Sequence, residues 1–264
     1  MRLEGRQILG VRVDAIDYET ATGRVLRWAR RGRSSYVCCA CVHSIMVAHD
    51  CPEYRGAMQN ADLVTADGMP LVWLLRWLGV PGATRVCGPD LLPRILEAAA
   101  DAGIQVGFYG GSEAVLDQLV GRAKRLFPNL RVAYAESPPF RLLTPEEDVI
   151  ATRTIVRSGV QILFVGLGTP KQDRWMGAHR GRIPAVMLGV GAAFDFFAGS
   201  KPQAPRWMQR SGLEWLFRLA TEPRRLWRRY VLHNPRFVVL AASQLFRERL
   251  IAVLRTSSVL SRAK

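Results

Sequence analysis

Short apolar segments of strand length alternate with longer helix-like segments through the first 200 residues, and this alternation restricts the fold more than any other feature. In the clearest unit, a helix from Gly88 to about Ala102 precedes an apolar strand at 105–109. A second helix to about Phe127 and another strand at 131–135 follow. Strands that are apolar along their whole length are typical of parallel sheets with both faces covered. The sequence therefore predicts an α/β fold, a parallel sheet with helices on both faces.

Other segments fit the same pattern. Arg6 to Val13 is predicted as the first strand, and Pro52 marks a break in a helical stretch over 43–59. The last predicted strand of this series covers 185–189. We expect residues 1–200 to form the sheet-containing core and residues 201–264 to form a helical appendage.

The net charge of +15 is concentrated in that appendage. Residues 201–264 hold 14 Lys and Arg but only 3 Asp and Glu, a net of +11. A basic segment of this kind binds nucleic acid, anionic lipid or a phosphorylated substrate. Its arginines alternate with Trp and Leu at helical spacing, which favours an amphipathic helix on an anionic bilayer. A helix that packs its aromatics on the core is the alternative, and no nucleic-acid-binding module is recognised.

The composition also bears on compartment and metal binding. No run of about 18 apolar residues is present, so no transmembrane helix is expected. The charged N-terminus does not fit a signal peptide, and we expect a cytoplasmic protein. The five cysteines are an odd number, which is a poor disulfide framework. Cys41 and His43 lack a second ligand pair at metal-binding spacing, so no metal site is predicted.

Three glycine-containing turns follow predicted strands, at Asp67-Gly68, Gly110-Gly111 and Gly166-Leu167-Gly168. The carboxyl ends of parallel strands share one edge, so we expect these turns beside a single crevice. Glycine allows a close approach of backbone to ligand, and a following helix N-terminus favours phosphate. None of the turns matches a dinucleotide-binding or Walker pattern. An ordinary strand-to-helix turn explains each one singly, whereas several together favour a nucleotide or another phosphorylated ligand.

Two acids lie near these turns. Asp67 follows a predicted strand, where it acts either as a helix N-cap or as a general base facing the crevice, and its spacing alone favours the cap. Asp195 lies between phenylalanines in a glycine-rich stretch. It either binds a ligand hydroxyl or is a buried, hydrogen-bonded structural acid.

Several sequence blocks together resemble one family, the WecG/TagA/CpsF glycosyltransferases (glycosyltransferase family 26). The likeness extends from about Gly10 to about Tyr230 and is strongest in the last two of six blocks. These blocks are ADLVTADGMPLVW at 61–73, RVCGPDLL at 85–92, GFYGGSE at 107–113, ILFVGLGTPKQDRW at 162–175, GVGAAFDFFAG at 189–199 and APRWMQRSGLEWLFRLATEPRRLWRRY at 204–230.

The resemblance implies a Rossmann-like core of the GT-E type with a C-terminal appendage that completes the site and touches the membrane. It implies an inverting transfer, without metal or cofactor, from a UDP-sugar to an undecaprenyl-diphosphate-linked sugar at the inner face of the membrane. Asp67 matches the proposed catalytic base and Arg85 the arginine near the diphosphate. The implied substrate-binding residues are Gly110, Gly111, Gly166, Gly168, Gln172 and Asp195, and the implied acceptor- or membrane-binding residues are Arg218, Arg224, Arg225, Arg228 and Arg229.

The chain departs from the family pattern in its second strand, where family members commonly have T-x-N. Cys39 and Cys41 occupy those two positions, and Cys41 takes the place of the substrate-contacting Asn. The donor is N-acetylmannosamine, glucose or a related sugar. The alternative is a catalytically impaired, membrane-associated partner of another transferase. A homo-oligomer is left open, and nucleic acid is not expected as a partner.

Overall fold

A computed structural model describes residues 3–262 of the chain, with side chains described as far as Ile251. Within this range an eight-stranded sheet has the order β1-β2-β4-β3-β8-β7-β5-β6. All neighbouring strands are parallel except β1 and β2. The predicted Rossmann-like α/β class is confirmed. The strands are β1 Gly5–Ile8, β2 Val11–Asp14, β3 Ser35–Ala40, β4 Leu63–Ala66, β5 Gln105–Gly110, β6 Arg131–Glu136, β7 Ile162–Gly166 and β8 Val186–Gly189.

The prediction of a single first strand over Arg6–Val13 is wrong. The chain reverses at Leu9 and Gly10, where φ is 47° and 89°, and β1 and β2 pair as an antiparallel hairpin. Positive φ at both central residues is characteristic of the two-residue turn whose twist matches that of paired strands. The hairpin adds an antiparallel edge to an otherwise parallel sheet.

The helices cover both faces of the sheet, and the predicted break at Pro52 separates α2 from α3. Their starts follow local chemistry: the Asp17 carboxylate caps α1, and Thr144 with Glu147 forms a capping box at α7. The helices are α1 Tyr18–Arg30, α2 Val42–Asp50, α3 Pro52–Gln59, α4 Met69–Trp77, α5 Gly88–Ala102, α6 Glu113–Leu126, α7 Pro145–Arg157, α8 Lys171–His179, α9 Ala193–Ala198, α10 Arg206–Arg210, α11 Glu214–Thr221 and α12 Pro223–Arg262.

The core consists of two apolar layers, one on each side of the sheet. Successive residues of a strand enter opposite layers: Tyr36 and Cys38 of β3 lie in one, and Val37 lies in the other. Phe108 and Tyr109 of β5 divide in the same way. The strands are therefore held from both sides, which fixes the positions of the turns that follow them.

The C-terminal helices pack onto this core. Phe237 and Ala241 of α12 are buried in the layer that contains Tyr36. Arg236 forms a two-point ion pair with Asp50 at 2.6 Å, and the Gln244 side chain hydrogen-bonds the backbone of the β1–β2 hairpin. The predicted helical appendage is thus present and docked along α2. None of the described helices combines the length and apolarity that a bilayer crossing requires.

Candidate active site

Five strand ends and their turns line the carboxyl edge of the sheet. Ala40 pairs with Ala66, Cys38 and Val165 both pair with Gly189, and Gly110 pairs with Gly166, so the ends of β3, β4, β8, β7 and β5 are nearly level. The turns predicted to share a crevice do share this edge. Cys41, Asp67 and the glycine turns are therefore all adjacent to the same opening.

Asp67 directly follows β4, and its side chain does not cap the next helix. The N-cap of α4 is Gly68, so the cap interpretation of Asp67 is wrong. The carboxylate instead accepts a hydrogen bond from the backbone N–H of Gly88, at the start of α5. Its side chain is 27% exposed, and Oδ1 lies 3.6 Å from Nη2 of Arg85. The carboxylate is therefore fixed in place but still accessible from the crevice.

Arg85 connects the core to the appendage. Its Nε donates to the backbone carbonyl of Asp67 at 2.5 Å, and Nη1 donates to Oε1 of Gln209 at 2.9 Å. Nη2 donates to Oε2 of Glu214 at 2.6 Å. The side chain is only 12% exposed, so these contacts hold the guanidinium in one orientation. Gln209 and Glu214 were missed as site residues, although both lie in the 204–230 block that carries the resemblance.

Burial and the charges around Asp67 bring its pKa into a range that suits proton transfer. Burial raises the pKa of Asp67 to about 6, Arg85 and Arg218 oppose this increase, and Glu214 adds to it. A general base is most effective when its pKa is near the working pH. The carboxylate is therefore ionised at neutral pH and still basic enough to accept a proton.

The glycines at the turns have different roles. A Cβ on Gly110, where φ is 121°, would lie 2.6 Å from the backbone of Gly166. A Cβ on Gly166 would lie 2.6 Å from the ring of Phe194. Packing alone thus requires glycine at these two positions, while Gly111 also has positive φ and faces Phe194 at ordinary contact distance. Gly168 has φ of 77° and open space where a Cβ would lie, so a ligand can approach the chain closely at this turn.

Gln172 and Asp173 are buried next to the Gly166-Leu167-Gly168 turn. Gln172 is 3% exposed, and its Oε1 accepts a hydrogen bond from the N–H of Gly168 at 3.1 Å. The buried Asp173 accepts a hydrogen bond from the Tyr54 hydroxyl at 2.6 Å, and burial raises its pKa to about 6. Asp173 was not singled out from the sequence. In this structure Gln172 fixes the Gly168 turn, and its contact with a nucleotide sugar remains a prediction.

Asp195 faces the appendage. In α9 its Oδ1 lies 3.4 Å from Nζ of Lys201, which lies at the same distance from Glu222 at the end of α11. Lys201, Arg218 and Glu222 line a cavity between α9 and α11, together with Phe196. Asp195 is thus beside a cavity that is lined in part by residues of the appendage.

The five predicted arginines do not act as one group. Arg229 is directed inward and donates to Sγ of Cys41 at 3.2 Å, and Arg218 lies over the ring of Phe196. Arg224, Arg225 and Arg228 are exposed on the outer side of α12, where Arg225 pairs with Glu222. Two of the five are therefore at the crevice and three face solvent. Within the described residues, no group of three or more His, Cys, Asp and Glu is arranged to hold a metal ion.

Comparison with known proteins gives a family for this arrangement. Residues 6–250 match the family described as "Glycosyl transferase WecG/TagA/CpsF family". This match covers almost the whole chain. The chain belongs to the WecG/TagA/CpsF family of glycosyltransferases. The resemblance drawn from the sequence blocks is thereby confirmed, and this family member is an enzyme that transfers a glycosyl group.

Two relatives of this glycosyltransferase carry the name N-acetylglucosaminyldiphosphoundecaprenol N-acetyl-beta-D-mannosaminyltransferase. The protein from Bacillus spizizenii is 33% identical over 189 residues, which cover 71% of this chain and 70% of the relative. The protein from Bacillus subtilis is 28% identical over 189 residues, which cover 71% of each chain.

Proposed function

We propose that this glycosyltransferase transfers a sugar, with inversion, from a UDP-sugar to an acceptor sugar linked to undecaprenyl diphosphate. N-acetylglucosaminyl diphosphoundecaprenol is the proposed acceptor and UDP-N-acetylmannosamine the first donor to test, in line with the names of the two relatives. The product would serve cell-envelope polysaccharide synthesis. The observation that supports this most directly is the partly exposed Asp67 carboxylate, held beside Arg85 with a pKa of about 6.

In the proposed reaction Asp67 accepts the proton of the acceptor hydroxyl. The hydroxyl oxygen forms a bond to the anomeric carbon of the donor from the side opposite the diphosphate. The bond between that carbon and the phosphate oxygen breaks, and UDP leaves with the electron pair. Nη2 of Arg85 lies 3.6 Å from Oδ1 of Asp67. Its positive charge would stabilise the negative charge that develops in the transition state.

The donor is proposed to occupy the crevice beside β7 and β8. The open space at the Gly168 turn would admit the diphosphate close to the start of α8, because backbone dipoles near a helix start favour phosphate. Asp195 lies beside the cavity that Lys201 and Arg218 line, and its carboxylate would accept hydrogen bonds from the nucleoside. No metal ion is part of this proposal, since guanidinium and backbone groups suffice to hold the diphosphate.

The appendage at 201–264 is proposed to dock the enzyme on the inner face of the cell membrane. The outward face of α12 exposes apolar side chains between two groups of arginines. Arg224, Arg225 and Arg228 lie before this apolar stretch, and Arg247 and Arg249 lie at its far end. Apolar residues flanked by cationic ones favour the interface of an anionic bilayer. This position would bring the crevice close to a lipid-linked acceptor.

Replacing Asp67 by Asn tests the proposal. UDP release is measured with the lipid-diphosphate acceptor, in EDTA, over a set of UDP-sugars. Loss of a general base lowers the rate by about 10²–10⁴-fold, and UDP binding should change little because Asp67 does not hold the nucleotide. Near-normal turnover in D67N would remove Asp67 from this role.

The second candidate, an impaired partner of another transferase, is motivated by Cys39 and Cys41 at the T-x-N positions. Arg229 contacts Cys41 at 3.2 Å and so occupies part of the space beside that position. If the wild-type protein released no UDP with any donor, alone or with acceptor, this alternative would replace the first.

A further inference from the structure

A second cavity adjoins Arg85 and reaches Met69, just after the Asp67-Gly68 turn, and the proposed mechanism leaves it unused. Arg206 and Arg210, one helical turn apart on α10, line it together with Arg85 and Gln209. Tyr18 and Asp90 also line it. The cavity therefore combines cationic groups with groups that form hydrogen bonds.

The two arginines of α10 carry uncompensated charge. Arg85 is paired with Glu214 and lies close to Asp67. Among the residues with described side chains, neither Arg206 nor Arg210 forms an ion pair, and both are exposed. Two guanidinium groups in one cavity match the oxygens of a phosphate or diphosphate, since each can donate two parallel hydrogen bonds.

Tyr18 and Asp90 give the cavity groups that suit sugar hydroxyls. The Tyr18 hydroxyl donates to Oδ2 of Asp90 at 3.2 Å and accepts from the backbone N–H of Cys87 at the same distance. The half-buried Asp90 carboxylate has further lone pairs, which accept hydrogen bonds from hydroxyl groups. A carboxylate in the same cavity as the arginines disfavours a bare polyphosphate and favours a phosphate ester that carries hydroxyls.

The contacts of Arg85 indicate which of the two substrates, acceptor or donor, this cavity would bind. Arg85 lines this cavity and also bonds the backbone of Asp67, so the cavity opens beside the proposed base. The base must touch the acceptor hydroxyl, whereas the donor diphosphate is assigned to the glycine turns. Gln209 holds part of the cavity lining in place, because its buried amide accepts a hydrogen bond from Arg85 and donates one to the carbonyl of Ala204.

We propose that Arg206 and Arg210 bind the phosphate groups of the acceptor, with Asp90 and Tyr18 facing its sugar ring. This assignment rests on the proposed function, because it identifies the cavity with the acceptor side of the same reaction. It makes the two arginines of α10 determinants of acceptor binding, separate from the arginines at the donor crevice and on the outer face of α12.

The test uses R206Q, R210Q and the double variant, with N-acetylglucosamine diphosphate linked to a short farnesyl chain as a soluble acceptor. The matched control is R153Q/R157Q, a pair of exposed arginines at the same spacing on α7. Each loss of a charged hydrogen-bonding partner should raise the acceptor KM about 10-fold or more, and the double variant should raise it about 100-fold. The KM for the donor, the affinity for UDP and the thermal melting curve should match those of the control.

Calorimetric binding of the same acceptor without donor separates this inference from the proposed function. If wild type binds the acceptor and the double variant does not, the cavity assignment stands even if no sugar is transferred. Unchanged acceptor KM and affinity would overturn it, and so would a loss confined to UDP binding. Flotation with phosphatidylglycerol vesicles tests whether the two arginines bind lipid headgroup phosphates instead. If the double variant loses vesicle binding but keeps its affinity for the soluble acceptor, the arginines contact the bilayer and the inference is wrong.

Discussion

The protonation state of Asp67 depends on side chains from two distant parts of the chain. Arg85 belongs to the core, whereas Glu214 comes from the appendage and lies 2.6 Å from the Arg85 guanidinium. Arg85 lowers the pKa of Asp67, and Glu214 raises it. The appendage thus adjusts the basicity of a carboxylate that belongs to the core.

Replacing Glu214 by Gln should move the pH dependence of kcat/KM toward acid. Asp67 must be deprotonated to act, so activity is present above its pKa of about 6 and falls as pH decreases through that value. The E214Q substitution removes a negative charge that raises this pKa. Arg85 loses its ion-pair partner and can interact more strongly with Asp67. Both changes lower the pKa, and the acid limb of the profile should shift to lower pH.

A pH profile of UDP release between about pH 4.5 and 8 measures the shift. E97Q, which removes an exposed carboxylate on α5, is the matched control and should keep the wild-type profile. An acid limb that stays in place or moves toward alkaline pH in E214Q would contradict the assignment of this limb to Asp67.

At the level of elements, the parts that could be predicted are those with strong local signals. The strands of 105–110 and 186–189 were predicted to within one residue, because their apolar runs end at glycines. The β1–β2 hairpin was missed because Leu9-Gly10 lacks the Asn-Gly or Asp-Gly signal of a two-residue turn. Local sequence thus predicted elements well where composition alone defines them.

The candidate site was predictable only in part, for a related reason. Asp67 lies at a strand end, which the α/β pattern identifies, and Arg85 came only from the family resemblance. Gln209 and Glu214 are 124 and 129 residues from Arg85 along the chain, and nothing local predicts those contacts. They depend on the appendage folding back over the core, which is a tertiary property.

The docking of α12 should contribute substantially to stability. Phe237 is 4% exposed and packs in the same apolar layer as Tyr36. Replacing it by Ala removes a buried ring and leaves a cavity, which typically costs about 3–5 kcal/mol. F237A should therefore lower the free energy of unfolding by about that amount, measured by denaturant titration.

The control for this prediction is V239A, which is two residues away and 64% exposed. It should change the unfolding free energy by less than about 0.5 kcal/mol, as surface substitutions usually do. If F237A were as stable as V239A, α12 would not be packed on the core as described.

In the whole molecule, the helix α12 of the docked appendage has an inner and an outer surface. On the inner surface Leu226, Tyr230 and Phe237 are buried, and Phe237 packs in an apolar layer of the core. The outer surface exposes Val231, Val238 and Phe246. Pairing of two copies through this outer surface would bring arginine-rich ends together in either orientation, and like charges repel. An anionic bilayer complements both the apolar centre and the basic ends, which favours lipid over a second chain.

The last prediction follows from this arrangement. Full-length protein should float with phosphatidylglycerol vesicles at low salt and much less with neutral phosphatidylcholine vesicles. Each basic residue near an anionic surface contributes about 1 kcal/mol, and added salt screens that attraction. The triple variant V231S/V238S/F246S should lose most of the flotation, because the apolar contribution disappears while the charge is unchanged. The control L126S/I150S/V156S changes three exposed apolar residues of α6 and α7 and should float like wild type. If V231S/V238S/F246S floats as well as the control, the outer face of α12 does not contact lipid. Light scattering of both variants would then show whether this face joins two copies of the chain instead.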